Sequence, residues 1–188
     1  MLQIGMIGPP GLLRQNYEIL RNQTEPADAF PLRTAQQIQN IDGLLITGCR
    51  PEDYANQLYR LRSPVKSCAD HISLLGIAAG AAALSEHYFL SLLHCRTRYQ
   101  FSPRISTSIL EVPVFSDSRF SALFMPDIQF SSLAPNLGIL CQHPHRGPVI
   151  IRQGDILVCS YMAEWTAQKE IYRYWLEMVT ALKNSREF

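Results

Sequence analysis

The sequence predicts an α/β fold, a mostly parallel central sheet covered on both faces in a single three-layer α/β/α sandwich. Short, almost wholly apolar runs recur at residues 2–7, 41–47 and 73–77, as in strands buried on both faces. Each run is followed by a stretch of helical character, so strand and helix alternate along the first half of the chain. The composition suits one such core: 188 residues, 47% hydrophobic and 18% charged, with too much apolar material for a disordered chain.

The first strand, 2–7, is ended by Gly8, Pro9 and Pro10, and a helix over 11–21 follows with Leu12, Leu13, Tyr17 and Leu20 near helical spacing. The second strand leads into a helix over 51–61, with Pro51 in its first turn and the acids Glu52 and Asp53 just after. The third leads into an alanine-rich helix over 79–89. Between about 94 and 140, Ser, Thr, Pro and β-branched residues mix, and segments such as 109–115 read as short, interrupted strands. An antiparallel or irregular insertion is expected there. Residues 148–159 form two apolar runs joined by Gln153, Gly154 and Asp155, a hairpin signal. In the closing helix Ile171, Tyr174, Trp175, Met178, Val179 and Leu182 make one apolar stripe, a core face rather than a ligand site. No repeat or linker divides the chain, so residues 1–188 are expected to form one domain.

A formal net charge of +1 gives no electrostatic reason to expect a nucleic-acid or membrane partner. Five cysteines without a CxxC pair predict neither a disulfide framework nor a zinc site, and fit reduced thiols in a cytoplasm. The opening residues carry no basic segment before their short apolar run, and read as neither a secretory signal nor a membrane span.

Several local motifs then fall in order. Ile4-Gly-Met-Ile-Gly-Pro-Pro-Gly11, Ile41-Asp-Gly-Leu-Leu-Ile-Thr-Gly48, Leu75-Gly-Ile-Ala-Ala-Gly80, Ile151 through Glu164 and Ile171 through Val179 resemble five successive segments of class I glutamine amidotransferases, nearest to the glutaminase subunit of pyridoxal 5′-phosphate synthase. The resemblance spans about residues 2–182. It implies a flavodoxin-like fold, a loop of oxyanion-binding amides after residue 48, a nucleophile elbow at residues 76–80, and a catalytic Cys-His-Glu triad.

At the elbow, however, the nucleophile position holds Ala78, followed by Ala79, and the histidine position holds Met162; only Glu164 of the triad remains. A methyl group cannot attack an amide, and a thioether has no proton to exchange. As an orphan, Glu164 is expected to be a solvated or salt-bridged surface carboxylate. The oxyanion loop reads Gly48-Cys49-Arg50-Pro51, in which Pro51 lacks an amide hydrogen. Where the family carries an arginine, this chain has Phe124. Gly76 and Gly80 remain to let the elbow helix approach its sheet.

These departures imply a catalytically inactive glutamine amidotransferase-like protein, a non-catalytic binding or regulatory subunit with a synthase-type protein partner, or with a small ligand in a former glutamine pocket lined by Cys49, Ala78, Phe124 and Met162. No cofactor or metal is expected. The competing reading is altered chemistry through another nucleophile, with Cys49 the candidate and His71 and His87 the nearest bases in sequence. His143 and His145 have ligand chemistry but no evident third partner.

Overall fold

The computed structural model describes residues 1–25, 27–166 and 169–186. Its main sheet has seven strands: β1 (Leu2–Ile7), β2 (Ala27–Pro31), β3 (Gly43–Gly48), β4 (Ser73–Ala78), β8 (Gly138–His143), β9 (Gly147–Gln153) and β10 (Ile156–Cys159). They lie in the order β2-β1-β3-β4-β10-β9-β8. The first five are parallel, and the β8/β9/β10 meander closes one side antiparallel. Helices α1 (Pro10–Arg21), α2 (Ala35–Ile38), α3 (Glu52–Cys68), α4 (Ala79–Leu84) and α5 (Glu170–Arg186) flank it. The α/β sandwich with a mostly parallel sheet is thus as expected.

β3 and β4 are buried at every residue, which is why they read as unbroken apolar runs. The tight turn predicted at Gly154 is present, with φ 55° between the antiparallel β9 and β10. In α5, Ile171, Trp175, Met178 and Val179 are buried, so the aromatic stripe packs the core.

Four local expectations need correction. β2 and α2 have no counterpart among the expected elements; β2 is an edge strand, bonded to β1 alone, and half exposed, so its sequence lacks an apolar signature. α3 runs on past 61 to Cys68 through Pro64, because the fully buried Val65 extends its inner face beyond the proline. α4 stops at Leu84 rather than 89; the Ser85 hydroxyl donates to the Ala82 carbonyl at 2.8 Å, and Ser85–Glu86 continues as the short strand β5. The insertion is a continuous ribbon rather than interrupted short strands. β6 (Leu93–Glu111) pairs antiparallel with β7 (Arg119–Ser131), and one register shift between Phe101 and Ser106 absorbs the irregular sequence. The strand expected over 109–115 ends at Glu111, where the Val112 amide donates to Ser118 and closes the turn. No helix among the described residues is long and apolar enough to cross a membrane.

Candidate functional site

Parallel strands deliver their loops to one edge of the sheet, and the candidate residues collect there. Gly48, the last residue of β3, is directly opposite Ala78, the last of β4. On the other side of β4, Ile77 pairs with Cys159 of β10, and the chain leaving Cys159 carries Met162 and Glu164. Glu164 returns to β3, where the Thr47 hydroxyl donates to its Oε1 at 2.5 Å. The three segments that the sequence singles out therefore meet at the carboxyl ends of β3, β4 and β10.

The elbow has a distinctive backbone. Ala78 sits at φ 50°, ψ −120°, a conformation that costs a residue with a Cβ about 1–3 kcal/mol. Glycine at that point would lose the strain, while gaining entropy in the unfolded chain worth up to about 1 kcal/mol. Ala78→Gly is therefore expected to stabilise the protein by about 1 kcal/mol, read as a higher urea midpoint at unchanged slope. α4 then packs with no room to spare. A Cβ on Gly76 would lie 2.9 Å from the Ala81 Cα, and one on Gly80 would lie 2.0 Å from the Ile46 carbonyl oxygen. Both glycines thus permit the close approach that the elbow needs.

The loop after β3 is tied down internally. The amides of Cys49 and Arg50 both donate to Asp53 Oδ2, at 3.0 and 2.8 Å. The Tyr99 hydroxyl donates to the Cys49 carbonyl at 2.8 Å, and the Tyr54 hydroxyl to the Ala79 carbonyl. The Arg50 guanidinium stacks over Phe101, 4.1 Å from the ring centroid. An oxyanion would have to displace a carboxylate to reach either of those two amides. The sequence reading gives Asp53 no such role, although an acid three residues after Arg50 at a helix start is a capping signal.

Ala78, Ala79 and Met162 have no exposed surface, and Phe124 is 2% exposed. Met162 is held by its own amide, which donates to Leu123 at 2.8 Å. Phe124 packs edge-on to Tyr161, and the Arg146 guanidinium lies 4.3 Å from its centroid. It borders a small cavity of about 290 Å³ with Gln100, Ser106 and Arg146. The pocket expected from Cys49, Ala78, Phe124 and Met162 is thus filled by its own side chains at three of its four positions.

Glu164 is not the solvated or salt-bridged surface carboxylate expected from sequence. A 3-10 turn over Ala163–Trp165 rotates it inward, leaving it 7% exposed. Besides Thr47 it receives a long bond from Asn16 Nδ2 at 3.5 Å, and Asn16 in turn accepts the Tyr172 hydroxyl at 2.8 Å. Its Oε2 is buried without a partner among the described residues. Burial raises its pKa above the ordinary carboxylate value, and the Thr47 and Asn16 bonds only partly oppose that shift. Lys169 does not pair with it through side chains; its ammonium caps the carbonyls of Ala163, Glu164 and Thr166. Glu164 thus ties α1, β3 and α5 together from within.

Two thiols lie near the elbow and neither is activated. Half-burial, reinforced by the carboxylates of Asp53 and Glu164, pushes Cys49 up to about 11, against a small opposing effect of Arg50. A reactive cysteine needs the opposite shift. Cys159, which sequence reasoning passes over, touches the Ala78 backbone, yet full burial raises its pKa well out of reach. His71 and His87 are exposed and are absent from the charges acting on Cys49. His143 ends β8 and His145 lies in the exposed turn after it, where the His145 amide donates to His143 Nδ1 at 3.2 Å. Among the described residues no group of three or more His, Cys, Asp or Glu could hold a metal ion.

A parallel sheet ending in a strained elbow under a glycine-packed helix, beside a loop after β3, matches the framework that the sequence resemblance implies. No family model matches the chain. Over 190 residues it is 23% identical to the pyridoxal 5′-phosphate synthase subunit PdxT of Thermotoga petrophila, covering 95% of this chain and all of that one. An uncharacterized glutaminase of Schizosaccharomyces pombe is 24% identical over 213 residues, covering 98% of this chain and 91% of that protein. Among solved structures, a glutamine amidotransferase superposes with TM-score 0.77 at 21% identity, over 94% of this chain and 98% of the other. A second glutamine amidotransferase, from Thermotoga maritima, gives TM-score 0.63 at 13% identity, covering 98% of this chain and 85% of the other. The chain is thus similar in sequence to PdxT glutaminase subunits over nearly its whole length, and it shares the fold of solved glutamine amidotransferases.

Proposed function

We propose that this protein is a catalytically silent glutamine amidotransferase-like subunit that binds a synthase-type protein partner without supplying it with ammonia. The observation that carries the reading is the residue at the elbow. Position 78 keeps a strained φ of 50°, the geometry that would project a nucleophile, yet ends in a methyl group. Met162 stands where a base would be needed, and Asp53 holds two amides of the loop after β3. Nucleophile, base and oxyanion donors are compromised together, while the sheet edge that collects them is kept. The relatives named as synthase subunits support a protein partner over a free-standing role. The enclosure of Ala78, Met162 and Phe124 favours that partner over a small molecule in the former glutamine pocket.

Loss of the nucleophile or of its base lowers turnover by about 10⁶, and further losses add little because the triad acts as a unit. Purified protein is therefore expected to release no ammonia from glutamine above the uncatalysed background, with or without a pyridoxal 5′-phosphate synthase present. Ala78→Cys alone should leave it silent. Sustained release by the unaltered protein would overturn the proposal.

A further inference from the structure

The strand order makes a second site. The chain leaves β1 toward β2 but leaves β3 toward β4, so the loops after β1 and β3 diverge at the carboxyl edge of the sheet. Such a switch point opens a crevice, and open α/β sheets bind ligands there. In this protein the crevice holds a cavity of about 670 Å³, within the range of small-molecule pockets. It is separate from the elbow: Ala78, Met162 and Glu164 do not border it.

Its chemistry is divided. Met6, Leu13, Ala29 and Tyr54, all buried, supply an apolar floor. Above it stand exposed polar residues, with Arg14 and Tyr17 from α1, Arg33 from beyond β2, and Glu52 and Asn56 from α3. Gly8 completes the crevice; at φ 156° a Cβ there would lie 2.6 Å from the Thr47 carbonyl, so only glycine lets the β1 loop lie this close to β3. Neither Arg14 nor Arg33 has a guanidinium partner among the described residues. Of the two acids on the α3 wall, Asp53 already accepts two amides, and Glu52 has no hydrogen bond among the described residues. The two arginines balance Glu52 and Asp53 in formal charge, but Asp53 is tied to the loop amides while both guanidinium forks stand unengaged at the mouth of an apolar cavity, open to an anion.

We propose that this crevice binds a small amphiphilic anion, a flat apolar body bearing a carboxylate or phosphate, with the body on the Met6–Tyr54 floor and the anion at Arg14 and Arg33. The proposal does not depend on whether the elbow is silent. It has one structural consequence: Asp53 and Tyr54 border the cavity and also fix the Cys49–Arg50 loop and the Ala79 carbonyl, so an occupant bears on the turn that holds the elbow.

The test uses 1-anilinonaphthalene-8-sulfonate and its uncharged parent N-phenyl-1-naphthylamine on the folded full chain, followed by fluorescence. One saturable site is expected for the sulfonate. Because a hydrogen bond to a charged group is worth about 1.5–3 kcal/mol, the Arg14→Ala, Arg33→Ala double variant should weaken the sulfonate by about tenfold or more and leave the parent unchanged. Both arginines are exposed, so the variant should melt with the wild type. Asn56→Trp, at the rim, should block both probes. Phenyl phosphate or benzoate should displace the sulfonate, and the better competitor identifies the anion. Equal sulfonate binding by wild type and double variant, or displacement by neither competitor, would overturn the proposal.

Discussion

Gly80→Ala is expected to lower stability by about 3 kcal/mol or more, a substantial part of the roughly 5–15 kcal/mol that keeps a domain folded. The added Cβ would lie 2.0 Å from the Ile46 carbonyl oxygen and 2.5 Å from its carbon. Those atoms belong to the backbone of β3, which is bonded to β1 on one side and β4 on the other. Neither the strand nor α4 can step aside alone, because all six residues of α4 are buried. Overpacking usually costs about 1–3 kcal/mol, and a backbone clash lies at or beyond the top of that range. It outweighs the gain of about 0.5–1 kcal/mol that alanine brings over glycine in a helix. Gly11→Ala is the control: a Cβ there meets nothing within 4 Å, and it should be neutral or slightly stabilising. Chemical denaturation of the two variants checks both, and equal midpoints would show that α4 can shift off the sheet.

The same closeness explains what can be read from the chain. Buried parallel strands must be apolar throughout, so β1, β3 and β4 declare themselves, and Gly76 and Gly80 mark a helix pressed against them. β2 is hidden because an edge strand with one bonded side needs little apolar material. The long β6/β7 ribbon is hidden because its residues face solvent on one side, and its register shift breaks the alternation. At the site, Ala78 and Met162 stand out in the sequence because neither side chain can serve as nucleophile or base at the positions that the resemblance assigns to those roles. The burial of Glu164 is not legible. Its surroundings come from Asn16 and Tyr172, 148 and 8 residues away in sequence, and from a single turn that rotates the side chain inward. The Asp53 clamp on the loop amides is readable in principle as a helix cap, but its effect on oxyanion binding needs the loop's geometry.

Thr47→Val is expected to cost about 2–3 kcal/mol at a pH where Glu164 is ionised and distinctly less at pH 4, where it is protonated. The reason is the ionisation of Glu164. Its pKa is raised in the folded protein, chiefly by burial, with the Thr47 and Asn16 bonds and the Lys169 charge opposing. A raised acid pKa means that the folded state binds the proton more tightly than the unfolded state. The corresponding stability is fully present below the ordinary carboxylate value of 4.5 and is lost as pH rises through the folded value. Above that point the carboxylate is ionised in place, and the Thr47 hydroxyl is its one short donor, at 2.5 Å. A hydrogen bond to a charged group is worth about 1.5–3 kcal/mol, so valine removes most where the charge is present. Glu164→Gln should behave in the opposite sense. Its amide keeps an oxygen for Thr47 and cannot ionise, so the Glu164-linked decline in stability above pH 4.5 should vanish, and the variant should gain on the wild type as pH rises. Urea unfolding of the three proteins from pH 4 to 8 reads both effects. Parallel stability curves for wild type and Glu164→Gln would mean that this carboxyl keeps an ordinary pKa despite its burial, and that its ties to α1 and β3 do not respond to pH.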